Sequence, residues 1–188
     1  FLCDEDFDEM DQPEERMSHL SKNKKDSSTY QLINASKLEE GEQPLGRVIG
    51  YKNQKKELLS VIDWFKHSKE LKEKGVSIPK GVILFGEPGN GKSLLIKEII
   101  RCCEAPVFVF QGGQINVTEG ICETFSKARE TGHAIIIFDE LDLLINNERR
   151  VVRALQENLD GVESSDDILV IAATNYIREI PDPLLRHG

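Results

Sequence analysis

Residues Gly86, Glu87, Pro88, Gly89, Asn90, Gly91, Lys92 and Ser93 have the spacing G-x-x-x-x-G-K-S. Glycines allow a backbone to come close to a ligand, and successive backbone N–H groups in such a loop can cradle a polyphosphate. With this spacing the lysine, Lys92, reaches the outer phosphates, and the hydroxyl of Ser93 is a ligand for Mg²⁺. Leu94 continues the chain into a helix and completes the set of candidate contacts.

Two further groups can complete that chemistry. Asp139 and Glu140 follow the apolar run Ala134-Ile135-Ile136-Ile137-Phe138. Acids at the C-terminal end of a buried strand stand where ligands bind in open α/β sheets. Asp139 is placed to hold Mg²⁺ through its water shell, and Glu140 to polarise an attacking water. Asn175 follows the run Ile168-Leu169-Val170-Ile171-Ala172-Ala173-Thr174, and its amide can touch both a terminal phosphate and that water. An asparagine after a strand is also a common turn former. The candidate catalytic residues are therefore Glu140, Lys92 and Asn175, with Ser93 and Asp139 for the metal.

These residues need a scaffold that brings distant segments together. Gly81-Val82-Ile83-Leu84-Phe85, Pro106 to Phe110, Ala134 to Phe138 and Ile168 to Ala173 are short apolar runs, as expected of strands covered on both faces. Between them, helical spacing is expected after Ser93, from Thr118 to Glu130, and from about Asn147 to Leu159. Thr118 is the expected cap of the second, and Gly132 and Gly161 are the expected stops. A helix is also expected from Asn53 to about Lys74, with Leu58, Val61, Ile62, Phe65 and Leu71 recurring at helical spacing. Trp64 on it docks the helix or faces a neighbouring subunit, docking being the default. Strands alternating with helices predict a parallel sheet in three layers.

Taken together, the segments resemble the AAA ATPase family, within the AAA+ P-loop NTPases. Pro79 to Gly86 is similar to the family's lead-in to the phosphate loop, and Phe138-Asp139-Glu140-Leu141-Asp142 to its Walker B motif. Ala173-Thr174-Asn175 is similar to sensor 1, Glu148 to Gly161 to the helix of Cdc48-like members, and Asp182 to Arg186 to the second region of homology. Arg47 to Leu59 resembles the entry segment, whose backbone lines the adenine pocket; this adds Val48, Ile49 and Gly50 as binding candidates. The resemblance covers residues 45–188. It implies an αβα P-loop NTPase fold with strand order 5-1-4-3-2, ATP or ADP with Mg²⁺ as cofactors, ATP hydrolysis, and a ring of identical subunits, a hexamer, that remodels or unfolds a protein substrate, with an adaptor. Asp160-Gly161-Val162 resembles an intersubunit signalling motif, or simply ends a helix.

The sequence also departs from the family. Gln111 to Val117 is short and has no aromatic residue where polypeptide-threading members carry one. A nucleotide-dependent assembly switch without threading is therefore the alternative reading. The chain begins with Phe1 and ends at His187-Gly188, so a fragment is expected: the arginine finger, the fifth strand and the helical lid would lie beyond it. Arg186 aligns upstream of the finger and is not assigned that role. Such a fragment is expected to be weakly active and mostly monomeric, with Val82 to Phe85 on an open, aggregation-prone edge.

Charge is unevenly distributed. Of the net charge of −9 over 188 residues, residues 1–16 contribute −7, from eight acids and one base. Residues 1–44 are therefore expected to be an acidic, polar, flexible segment and linker, with a short strand at Thr29 to Asn34. A partner-binding tail using Phe1, Leu2 and Phe7 is the minority reading. The near-neutral remainder lacks a basic stripe, which argues against nucleic acid and against a DNA motor. No apolar run is long enough to span a membrane. Cys3, Cys102, Cys103 and Cys122 lack C-x-x-C spacing, so zinc and redox chemistry gain little support, and a reducing, cytoplasmic setting fits.

Overall fold

The computed structural model describes residues 29–34, 38–110, 116–146, 148–162 and 167–185. Five strands form one sheet: β1 (Tyr30–Asn34), β2 (Gly81–Phe85), β3 (Pro106–Phe110), β4 (His133–Phe138) and β5 (Asp167–Thr174), in the spatial order β1-β3-β4-β5-β2. The four strands from β2 to β5 are mutually parallel. Read from β2, their order β2-β5-β4-β3 corresponds to the 1-4-3-2 part of the expected 5-1-4-3-2, with β2 as the strand before the phosphate loop. Among the described residues β2 has β5 as its strand neighbour, and Phe85 at its end is exposed.

Alternation along the central strands explains the three layers. Ile136 and Phe138 of β4, with Ile168, Val170 and Ala172 of β5, face Ile121 and Phe125 of α4 (Val117–Thr131) and Val151 and Leu155 of α6 (Arg149–Asp160). Ile135 and Ile137, with Leu169, Ile171 and Ala173, face Leu58, Ile62 and Phe65 of α1 (Lys52–Lys66) and Ile96 and Ile99 of α3 (Lys92–Cys102). Both faces are covered, which is why these strands read as continuous apolar runs. Cys102 and Cys103 lie in the second core, and burial pushes both thiols up. They pack, as expected.

Several local expectations need correction. The short strand expected at Thr29 to Asn34 forms, but as part of the sheet: it is an edge strand antiparallel to β3, with Tyr30 opposite Phe110 and Asn34 opposite Pro106. The sheet thus begins N-terminal to residue 45. The ring of Tyr30 packs 5.2 Å from that of Phe108, which anchors this edge. The single helix expected from Asn53 to Lys74 is two, α1 and α2 (Ser68–Glu73), broken at His67, whose ring nitrogen bonds the Asp63 carbonyl at 2.9 Å. Trp64, expected to dock, is 44% exposed because α1 buries Leu58, Ile62 and Phe65 instead. Asn116, not Thr118, caps α4, accepting from the Glu119 N–H; Gly132 ends it at φ 73°. A short helix, α5 (Leu141–Ile145), precedes α6, which begins at Arg149 and has Asp160 as its last residue. A 3₁₀ turn (Ile177–Glu179) and α7 (Asp182–Leu185) follow β5. The acidic residues 1–16, Gln111 to Ile115, Asn147 and Arg186 lie outside the described residues.

At the base of the sheet His133 stacks on Phe65, with centroids 4.2 Å apart and rings inclined by 11°. Burial, reinforced by Lys69 and Lys72 and opposed by Asp167, holds its pKa below the ordinary 6.5. The unfolded chain therefore takes up a proton at this residue before the folded one does. Stability from this residue falls as pH drops from 6.5 towards the depressed value and is level above 6.5. Urea unfolding between pH 5 and 7 is expected to lose that part of its pH slope in His133→Phe.

Candidate nucleotide site

Sheet register brings the candidate residues together. Phe85 pairs with Thr174, and Phe138 with Ala172. Strand β5 lies between β2 and β4, so the segments that follow all three strands emerge side by side at the C-terminal edge of the sheet. That edge is where open α/β sheets bind ligands.

The loop from Gly86 to Gly91 joins β2 to α3. Gly89 and Gly91 have φ of 83° and 78°, a left-handed geometry that side-chain-bearing residues rarely adopt. No side chain caps α3 at Gly91. Its first N–H groups therefore remain available, and the helix dipole adds positive potential at the same place. The Lys92 ammonium donates to the carbonyls of Gly86 at 2.7 Å and Glu87 at 3.0 Å, at the entrance of the loop.

A cavity of about 320 Å³ is lined by Pro88, Gly89, Gly91, Lys92, Ser93 and Leu94 of the first group together with Asp139, Glu140, Ala173, Thr174 and Asn175 of the other two. All three sequence groups thus share one cleft. A hydroxyl and a carboxylate, Ser93 and Asp139, are both among its lining residues. Hard oxygen donors in this low number suit Mg²⁺, which binds few protein ligands and completes its shell with water and phosphate oxygens.

The backbone around the acids is constrained. Glu140 has φ 55°, the left-handed region, where a side-chain-bearing residue is strained. Its N–H donates to the Asp139 carboxylate at 3.1 Å. This turn carries the chain from β4 into α5. The buried Asp142 of α5 accepts from the Asn175 N–H at 3.1 Å, linking the ends of β4 and β5. Asp142 belongs to the Walker B resemblance, but a role in holding Asn175 depends on a contact 33 residues away and is invisible in a local pattern.

A second cavity, about 540 Å³, adjoins the first through Gly91 and Lys92. Val48, Leu58, Val61, Val82, Leu84 and Leu95 give it apolar walls, and Asn90 and Gln54 add amides. Of the three entry-segment candidates only Val48 lines it. Ile49 is 92% exposed, and Gly50, at φ 83°, serves the turn into α1. Tyr51, which the sequence reading passed over, lines this cavity, and its hydroxyl donates to the Asn90 carbonyl at 3.1 Å. A third cleft of about 290 Å³, between β2, α6 and α7, is lined by apolar residues and glycine and offers no group for chemistry.

Among the described residues no cluster of three or more His, Cys, Asp or Glu could hold a metal ion, and no helix is long and apolar enough to cross a membrane.

Comparison with known sequences gives the same direction. A profile described as "ATPase family associated with various cellular activities (AAA)" matches residues 82–188, more than half of the chain. An "ATP-dependent zinc metalloprotease FtsH" of Ureaplasma parvum serovar 3 is 34% identical over 155 residues, which cover 75% of this chain and 22% of that protein. A "Cell division cycle protein 48 homolog" of Archaeoglobus fulgidus is 33% identical over 155 residues, covering 74% and 21%. "Protein CdcH" of Halobacterium salinarum is 37% identical over 129 residues, covering 61% and 17%. The chain spans about a fifth of the length of the relatives it matches.

Proposed function

Since the chain belongs to the ATPase family associated with various cellular activities, we propose that residues 45–188 form a nucleotide-binding module that binds ATP with Mg²⁺ and hydrolyses it to ADP and phosphate. The observation that carries this reading is the single cleft shared by the glycine loop, the Asp139-Glu140 pair and Asn175. The loop N–H groups and Lys92 bind the phosphates, and the adjoining apolar cavity takes the base. Ser93 and Asp139 would hold Mg²⁺, which supplies charge neutralisation between phosphates when bound. Glu140 accepts a proton from the attacking water, and Asn175 orients that water against the terminal phosphate.

In the whole protein this module acts within a ring of identical subunits, a hexamer, in the cytoplasm, and remodels or unfolds a protein substrate presented directly or by an adaptor. A neighbouring subunit supplies the further positive charge that phosphoryl transfer needs, a contribution on the order of 10³–10⁵ in rate. Relatives whose names call them ATP-dependent metalloproteases favour hydrolysis coupled to work on proteins. A second reading, an assembly switch that does not thread polypeptide, is favoured by one observation: Gln111 to Val117 contains no aromatic residue.

Calorimetry with ADP and Mg²⁺ tests the binding half, and steady-state phosphate release by the full-length protein tests hydrolysis. Absence of ADP binding overturns the proposal. Turnover without unfolding of any protein substrate favours the second reading.

A further inference from the structure

The segment before α1 reaches the nucleotide cleft without strand or helix to hold it, and an ionic network centred on the buried Glu98 does so instead. Glu98, on α3, is 2% exposed. Its carboxylate accepts from the Arg101 guanidinium at 2.9 Å and from the Arg47 backbone N–H at 3.4 Å. Arg101 also donates to Glu42, whose other oxygen accepts from the Arg47 guanidinium at 3.2 Å. Burial alone would raise the Glu42 pKa, but the Glu39 N–H, Arg101 and Arg47 together hold it below the ordinary carboxylate value. Within this clamp Leu45 is fully buried at φ 56°, a strained geometry for a leucine that surrounding contacts must impose. Val48, three residues on, forms part of the wall of the larger cavity.

The helix that carries the network also carries Lys92. Six residues separate Lys92 from Glu98, a rise of about 9 Å. One rigid element therefore positions the phosphate loop at its start and the wall of the base cavity further along. We propose that Glu98, Arg101 and Glu42 are positioning residues that fix the base half of the nucleotide site relative to its phosphate half. This rests on the nucleotide reading above and goes beyond it, since none of the three touches the cleft. A charge as buried as Glu98 is tolerated only while paired, so loss of one partner releases residues 42–48 rather than leaving them nearly in place. Pre-organisation of the base wall is then lost, and the phosphate loop, held by its own glycines and by β2, is unaffected.

The test compares two ligands on the 188-residue chain: Mg·ADP, which uses both halves, and inorganic tripolyphosphate with Mg²⁺, which uses only the loop. Arg101→Met and Glu42→Gln are each expected to raise the Kd for ADP, by about tenfold for Arg101→Met, with the Kd for tripolyphosphate within twofold of wild type. Arg101→Lys, which keeps the charge, restores part of the ADP affinity. Glu42 lies at the rim, so Glu42→Gln carries the test should Arg101→Met fail to fold. Unchanged ADP affinity in the folded variants overturns the inference, and so does a parallel loss of both ligands, which marks a merely structural role. A wild-type chain that binds neither ligand overturns the nucleotide reading and this inference with it.

Discussion

Lys92→Ala is expected to abolish measurable binding of ADP with Mg²⁺. Lys92 is the only cationic side chain between Gly86 and Leu94. Hydrogen bonds to charged groups are worth about 1.5–3 kcal/mol each, and a polyphosphate facing this loop loses at least two of them. That alone weakens binding by a factor of about 10² or more. A second loss adds to it. The ammonium also ties the carbonyls of Gly86 and Glu87 together, so the alanine variant loses a constraint on the shape of the loop as well as a charge. Thermal unfolding is expected to be little changed, because Lys92 belongs to neither core. Calorimetry decides the matter: ADP affinity equal to wild type would remove Lys92 from the site.

Glu140→Gln is expected to separate binding from chemistry. The amide has the shape of the carboxylate but cannot take a proton from water, and general-base catalysis is worth about 10²–10⁴ in rate. Phosphate release by the full-length protein should fall by that factor, while ADP affinity stays within twofold. The strained turn at Glu140 makes glutamine the right probe, since it leaves the left-handed backbone and the N–H bond to Asp139 in place. Turnover near the wild-type rate would mean that another group activates the water.

Both residues were legible because their signals are local. The phosphate loop is a string of eight residues whose glycine positions require unusual backbone angles, and β4 and β5 are runs of apolar residues because helices cover both faces. What the sequence hid is non-local or small. The strand β1 has only five residues, two of them partly buried, so its alternation is too brief to place it beside β3. The break at His67 is a departure of one residue's backbone angles from helical values inside an otherwise periodic stretch, which no spacing pattern marks. The Asn116 cap competes with a threonine two residues later that is equally suited by type. Ile49 is a candidate through the backbone of the entry segment it resembles, and a sequence pattern does not show that the turn at Gly50 and Tyr51 leaves its side chain in solvent. Asp142, Tyr51 and Glu98 act through partners 33 to 51 residues away, and no spacing rule relates them.

The place of β5 between β2 and β4 has a consequence for how the site can fail. Slipping β5 by one residue would move Thr174 by about 3.3 Å against both neighbours. The same slip would turn Leu169, Ile171 and Ala173 out of one core and into the other. The spacing between the glycine loop, the acids and Asn175 is therefore quantised, with steps one residue long. Small errors in strand pairing cannot accumulate into a slightly misaligned site, because each step also inverts a whole face of packed side chains. Selection for a packed interior thus acts, without further machinery, as proofreading of the catalytic geometry.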